Sequence, residues 1–223
     1  MSNEMIPDVQ LEDNSSQRLP LVIIVDGSTS MSGKPIAELN AGLQALEEEL
    51  KSDAIARLRV QLMILRVGGN DDVEVLTDWT DAINFSRPMV IANGNTPLGK
   101  AARLALSKIE DQKQNYKAAG IPYNRPWLYI LSDGAPNDAG WESAADECRQ
   151  AVSDRKVAVF AIATGGAQID PLKRFTDTVL ELNGVRFREL FIWLSRSASA
   201  ASKARQGDNV QVALPPNVLT IPT

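Results

Sequence analysis

The chain has no histidine, a single cysteine, only 5% aromatic residues and no excess of positive charge, and each shortage closes off a class of function. Without histidine there is no imidazole general base, no imidazole metal ligand and no Ser-His-Asp or Cys-His arrangement, so most hydrolase mechanisms are closed. The lone cysteine, Cys148, rules out an internal disulfide and fits a reducing compartment. Its helical spacing with Trp141, Ala145 and Val152 marks a packed thiol rather than a reactive one. Lys and Arg total 23 against 28 Asp and Glu, a net charge of −5 that argues against nucleic-acid binding. No apolar run is long enough to span a bilayer, and the polar, acidic residues 1–18 lack the apolar stretch of a signal peptide. A soluble, cytoplasmic protein is expected.

What is present is 223 residues at 44% apolar composition, enough for one sizeable α/β domain. The domain is expected over residues 19–205, after a flexible polar segment at 1–18 and before a tail or strap at 206–223. No repeat of 20 to 50 residues is found. The run Leu21 to Val25 is β-branched or leucine throughout, as a strand covered on both faces requires. Pro35 opens a helix with Ile36, Leu39, Leu43, Leu46 and Leu50 on one stripe. A second strand is expected from Leu58 to Val67. A turn at 68–72 leads to a short antiparallel edge strand, Val73 to Leu76. The stretch 79–94 reads as irregular, and Thr96 reads as the N-cap of a helix with Pro97 in its first position. Strands at Trp127 to Leu131 and Val157 to Ala163 bracket a helix from Ala139 to Asp154. A further helix carrying Leu172, Phe175 and Val179 leads to a short apolar stretch, Val179 to Leu182, and a last helix covers Arg188 to Arg205. Phe191, Trp193 and Leu194 on that last helix read as packed on the sheet.

This order predicts an α/β fold of doubly wound type: a mostly parallel sheet with one short antiparallel edge strand and helices on both faces. Such folds bind ligands beyond the carboxyl ends of their strands. Asp26, Thr96 and Asp133 all fall at that rim. The spacing Asp26-x-Ser28-x-Ser30 gathers hard oxygen donors there, which suit Mg²⁺, or Mn²⁺ and Ca²⁺, rather than zinc or copper. Alone, the same residues read equally as caps of a turn and the following helix.

Three pieces together resemble the von Willebrand factor type A (vWA) domain and its metal-ion-dependent adhesion site: Asp26, Ser28 and Ser30; Thr96 in Gly94-Asn95-Thr96-Pro97; and Asp133 in Ser132-Asp133-Gly134. The resemblance implies that Ser28 and Ser30 contact the metal directly, Thr96 does so in some states, and Asp26 and Asp133 hold it largely through water. It also implies a non-enzymatic protein-interaction module in which a partner's Asp or Glu completes the ion's coordination. Loops carrying Asn95, Asn137 and Asp138 would select that carboxylate. The loop departs from the commoner D-x-S-G-S in having Gly27 and Thr29 at its variable positions. Within the family the chain is similar to bacterial cytosolic proteins of tellurium-resistance and stress-response clusters, on its short length, Arg18-Leu19-Pro20-Leu21 and the segment 189–197. That group implies a scaffold or regulator beside a kinase or phosphatase.

The alternative is a nucleotide-binding or metal-dependent phosphoryl-transfer enzyme, since Gly27 to Lys34 superficially resembles a phosphate loop. The spacing argues against it: five residues separate the glycines instead of four, and Pro35 stands where a Ser or Thr should bind Mg²⁺. Lys34 then reads as a solvated residue before a helix.

Overall fold

The computed structural model describes residues 14–69, 72–133, 136–204, 214–215 and 217–220. Strand β1 (Leu19–Gly27) contains the apolar run and is buried at every residue. Because side chains alternate along a strand, Leu21, Ile23 and Val25 enter one hydrophobic cluster while Val22 and Ile24 enter another. Both faces are covered, which explains a sequence without polar interleaving.

Helix α1 (Lys34–Ser52) turns Leu39, Leu43, Leu46 and Leu50 inward, as its stripe predicts. The second strand does not begin at Leu58: a one-turn helix, α2 (Ala56–Arg59), occupies that position. The Asp53 carboxylate accepts the Ile55 and Ala56 N–H groups at 2.9 and 2.8 Å, satisfying donors that a helix start leaves open. Strand β2 (Val60–Gly68) then pairs parallel to β1. The edge strand β3 (Asp72–Asp81) is antiparallel as expected but much longer than Val73 to Leu76, and it takes in Trp79. Register shifts between Leu62 and Leu65 let it follow β2 to its start despite an irregular sequence. The centre of the expected turn, Asn70 and Asp71, lies outside the described residues.

Helix α3 (Leu98–Ala118), β4 (Trp127–Ser132), α4 (Trp141–Ser153), β5 (Ala158–Ala163), α5 (Ile169–Phe175), β6 (Val179–Leu182) and α6 (Phe187–Lys203) complete the alternation. Val179, expected on a helix, begins β6 instead, and α4 starts at Trp141 rather than Ala139. A second antiparallel edge, β7 (Leu219–Thr220), pairs with β6 and adds to the one expected. It falls within the expected tail, of which residues 206–213, 216 and 221–223 lie outside the description. At the other end, residues 1–13 lie outside it, while Arg18 is fully buried and pairs with Asp81 at 3.3 Å.

The sheet order is β3-β2-β1-β4-β5-β6-β7. From β1 the chain moves outward to β2 and β3, then returns past β1 to β4 and continues the opposite way. The crevice between β1 and β4 is therefore the topological switch point, where doubly wound sheets open for ligands. Helices α1, α2 and α6 contribute to the cluster on one face, and α3, α4 and α5 to that on the other. Phe191 and Leu194 are buried and Trp193 packs against the same cluster, so the last helix lies on the sheet as expected. Gly42 permits its contact with α1, since a Cβ there would lie 2.6 Å from the Phe191 ring. No described helix is long and apolar enough to cross a membrane.

Candidate functional site

Asp26, next to last in β1, is 1% exposed at the switch point. Its Oδ1 accepts the Ser28 N–H at 2.9 Å, closing a turn that lifts the chain off the sheet, and its Oδ2 accepts the Ser132 hydroxyl at 2.7 Å from the end of β4. The bland reading of Asp26 as a turn residue is thus correct as far as it goes, but the turn uses only one oxygen. Burial pushes the Asp26 carboxyl above the usual range, hydrogen bonds from Ser28 and Ser132 pull it back, and the charge of Asp133 adds to the rise.

Beyond the turn a short 3₁₀ segment, Thr29–Met31, carries the second serine. The Ser28 and Ser30 hydroxyls lie 2.9 Å apart, and Ser30 donates to Asp133 Oδ2 at 2.5 Å. Asp133 follows β4 directly; its Oδ1 is buried and has no hydrogen-bond partner. Asp26, Ser28, Ser30, Ser132 and Asp133 therefore form one linked cluster of two carboxylates and three hydroxyls.

Thr96, 5% exposed, sits on the adjoining loop. Thr29 joins this loop to the first, because both its N–H (3.0 Å) and its hydroxyl (3.1 Å) donate to the Gly94 carbonyl. Thr96 does not cap α3 as its sequence position suggested: Pro97 holds the cap position, with no side-chain cap bond. Asp138 from the loop after β4 performs that task, accepting the Gly99 and Lys100 N–H groups at 3.1 and 2.8 Å. A carboxylate at a helix N-terminus meets both free donors and the positive end of the dipole. Asn137 brackets Thr96, accepting its N–H at 3.1 Å and donating its own N–H to its carbonyl at 3.2 Å. Asn137 and Asp138, on a loop expected to select the partner's carboxylate, use these groups to hold Thr96 and α3 in place.

Sequence reasoning missed Arg66 and Asn93. Arg66, buried near the end of β2, donates through Nε to the Ile91 carbonyl (3.0 Å), through Nη2 to the Gly27 carbonyl (3.3 Å) and to Asn93 Oδ1, and through Nη1 to Glu74 (2.6 Å). One guanidinium thus ties the residue after Asp26 to the loop that delivers Thr96. The signal was present in the sequence: an arginine inside an otherwise apolar strand must find buried acceptors. Where the Thr96 loop passes the end of β2, Gly94 has φ +73 and a Cβ on it would stand 1.6 Å from the Gly69 carbonyl oxygen, so only glycine fits.

Among the described residues no three His, Cys, Asp or Glu side chains gather as a metal group. A cation at this cluster would meet an all-oxygen set of Asp26, Ser28, Ser30 and Asp133, with Thr96 on the adjoining loop outside the bonded group. That chemistry fits Mg²⁺, Mn²⁺ or Ca²⁺, and the unpartnered Asp133 Oδ1 is an acceptor the protein itself leaves open. Lys34 stands exposed at the start of α1, followed by Pro35, and reproduces nothing of a phosphate loop.

The sequence profile of the von Willebrand factor type A domain matches residues 21–183, from β1 through β6 and across all five of these oxygen-bearing residues. The chain belongs to this family. Domains of the family often serve as protein-interaction modules. Among solved structures, this vWA domain is similar to the pilus adhesin SpaC from Lactobacillus rhamnosus GG in its open conformation, with TM-score 0.66 and 12% identity over 84% of this chain and 31% of that one. It is also similar to proximal thread matrix protein 1 from the mussel byssus (TM-score 0.56, 14% identity, 83% and 49% covered). A third similarity is to the SpRpn10 VWA domain (TM-score 0.53, 13% identity, 78% and 93% covered). At such identities the likeness is one of fold. The chain spans about half the length of the mussel protein and about a third of the adhesin. No curated protein matches it.

Proposed function

We propose that this vWA domain is a non-enzymatic interaction module that meets an Asp or Glu of its partner through one divalent cation, Mg²⁺ or alternatively Mn²⁺ or Ca²⁺. The residues that would hold the ion are Asp26, Ser28, Ser30, Thr96 and Asp133. The observation that carries this reading is the buried Asp133 Oδ1, left without a partner in a cluster where the neighbouring oxygens are already linked. A buried carboxylate oxygen without a donor is costly unless something from outside satisfies it. Ser30, by giving its proton to Asp133, keeps oxygen lone pairs free to act as ligands, and Ser132 fixes the orientation of Asp26. Because three of the five groups are neutral, a bound cation supplies a positive centre for an incoming carboxylate.

The segments Arg18–Leu21 and Glu189–Ser197 support a place among the bacterial cytosolic tellurium-resistance and stress-response vWA proteins. There the domain would act as a scaffold or regulator for a kinase or phosphatase encoded nearby. Titration with Mn²⁺, followed by calorimetry and water relaxation, tests the site. The chain binds one ion weakly, because Mg²⁺-type ions give up water reluctantly to neutral ligands, and Ser28→Ala and Asp133→Ala abolish binding while circular dichroism stays native. Unchanged binding in both variants refutes the assignment.

A further inference from the structure

We propose that the partner segment is an acidic residue with an apolar anchor close by in its sequence, and that the anchor docks on Met89 and Ile91. This rests on the metal-dependent reading above and deepens it by naming what else the partner must carry. Both side chains are 64% exposed, more than any other large hydrophobic residue described, and they flank Val90, which is 2% exposed. The alternation puts Val90 into the core beside α1 and turns its two neighbours outward together.

The ridge is held from below. Val90 exchanges two hydrogen bonds with the Asn40 side chain, donating its N–H at 2.8 Å and accepting at 2.9 Å, and the Ile91 carbonyl accepts from Arg66. An apolar pair on a backbone pinned at Val90 and Ile91 loses little further freedom when covered, which favours binding. The same ribbon runs on to Gly94, where Thr29 joins it to the serine loop, and to Thr96. Thr96 stands five positions after Ile91, so the two lie no more than about 18 Å apart. A partner in extended conformation therefore places its anchor within about five residues of its carboxylate.

Charge argues for the same occupant. From Pro88 to Gly99 twelve consecutive residues carry no charge, in a chain that is 23% charged and net −5. An acidic segment, repelled by the chain as a whole, meets no acidic side chain along this ribbon and finds the cation at its end.

The test uses a displayed peptide library of five random residues, one Asp or Glu, and five random residues, panned on the intact chain in Mg²⁺. Selected peptides should carry a large apolar residue within five positions of the fixed acid and release in EDTA. Their affinity should fall at least tenfold for the Met89→Ser/Ile91→Ser double variant and return with Met89→Leu/Ile91→Val. Mn²⁺ titration of the serine variant reports the metal site separately. Metal-dependent peptides that ignore the ridge substitutions, or a library that yields no metal-dependent peptide although Mn²⁺ binds, overturn this inference alone. Peptides that bind equally in EDTA and to Asp133→Ala overturn the metal-dependent reading as well.

Discussion

Replacing Arg66 by Met tests whether one guanidinium holds the two loops of the site together. Met keeps much of the buried stem and removes the donors. Of these acceptors, the Gly27 carbonyl keeps the Asn93 N–H at 2.8 Å and Asn93 Oδ1 keeps the Gly69 N–H at 3.2 Å, so among them the Ile91 carbonyl is the one that loses its donor without a second. Glu74 is 61% exposed at its side chain, and its ion pair contributes under about 1 kcal/mol. Three donor bonds from a charged group at about 1.5 kcal/mol each, offset by the apolar replacement, give a net loss of about 3 kcal/mol. For a chain of this size that lowers the melting temperature by about 6–12 °C. Urea unfolding followed by circular dichroism measures the loss, and Mn²⁺ titration of the folded variant reports the loops. Arg66→Lys should fall between the two, since an ammonium cannot span three acceptors with the planar fork of arginine. A stability within about 0.5 kcal/mol of the parent chain would show that the bonds contribute nothing net. Lost stability with unchanged Mn²⁺ affinity would show that Arg66 secures the sheet edge and not the loops.

Two further outcomes follow from buried or bonded groups elsewhere. Cys148 is fully buried and burial pushes its thiol up to about 12, so a thiol reagent at pH 8 should leave the folded chain unlabelled and react only as denaturant unfolds it; stoichiometric labelling of the native chain within minutes refutes this. For Asp53, burial alone would raise the carboxyl, but bonds from Ser199, the Ala56 and Ile55 N–H groups and Lys203 outweigh it and lower the pKa. A depressed folded-state value means stability that is present above the ordinary carboxylate pKa and is lost as pH falls toward the folded one. Asp53→Asn should therefore destabilise by about 1–2 kcal/mol at pH 7, a difference that shrinks below about pH 4; a difference that does not depend on pH refutes the account.

The parts of the fold legible in sequence are those fixed by short-range pattern. The unbroken apolar run of β1 announces a strand covered on both faces, and the stripe of α1 announces its helix, because in each case burial acts on residues within a few positions of one another. The one-turn helix before β2 is capped locally by Asp53, but in the following misses a distant residue decides. Thr96 precedes a proline and reads as a cap, yet Asp138 reaches the same helix start from some forty residues away, and no local pattern records that. Strand β3 reads as short because Thr77 and Asp78 follow Leu76 and break its alternation, but pairing with β2 carries it to Asp81. The two-residue β7 has no signal of its own and exists only because β6 offers an edge. Four of the five oxygen-bearing residues come together in one bonded cluster, since the switch point of the sheet fixes where the ends of β1 and β4 must meet. Arg66 could have been singled out as the charge inside an apolar run; its acceptors, scattered over β1, β3 and the loop before Thr96, could not.

The same sheet offers its own control for the unusual state of Asp26. At the opposite end Asp81 is also buried, and there the chain supplies a cation: Arg18 Nη2 lies 3.3 Å from Oδ2, while Gln61 donates to Oδ1 at 3.0 Å. Burial still raises the Asp81 carboxyl, but Arg18 stands first among the influences that pull it down. Asp26 and Asp133 have no Lys or Arg in ion-pair contact among the described residues, only hydroxyls and a backbone N–H. Arg66 is close by in the fold, yet it directs its donors to carbonyls, an amide and Glu74. Leaving buried charge without a counter-ion costs several kcal/mol, and this chain evidently can place an arginine beside a carboxylate where structure alone requires it. Among the described residues, the buried carboxylate without such a partner is Asp26, in the crevice at the switch point where doubly wound sheets take ligands. Under the proposed function, a counter-charge supplied from solution would resolve the imbalance there, and an ion held by neutral hydroxyls, unlike a built-in arginine, would keep a place open for a carboxylate from another protein.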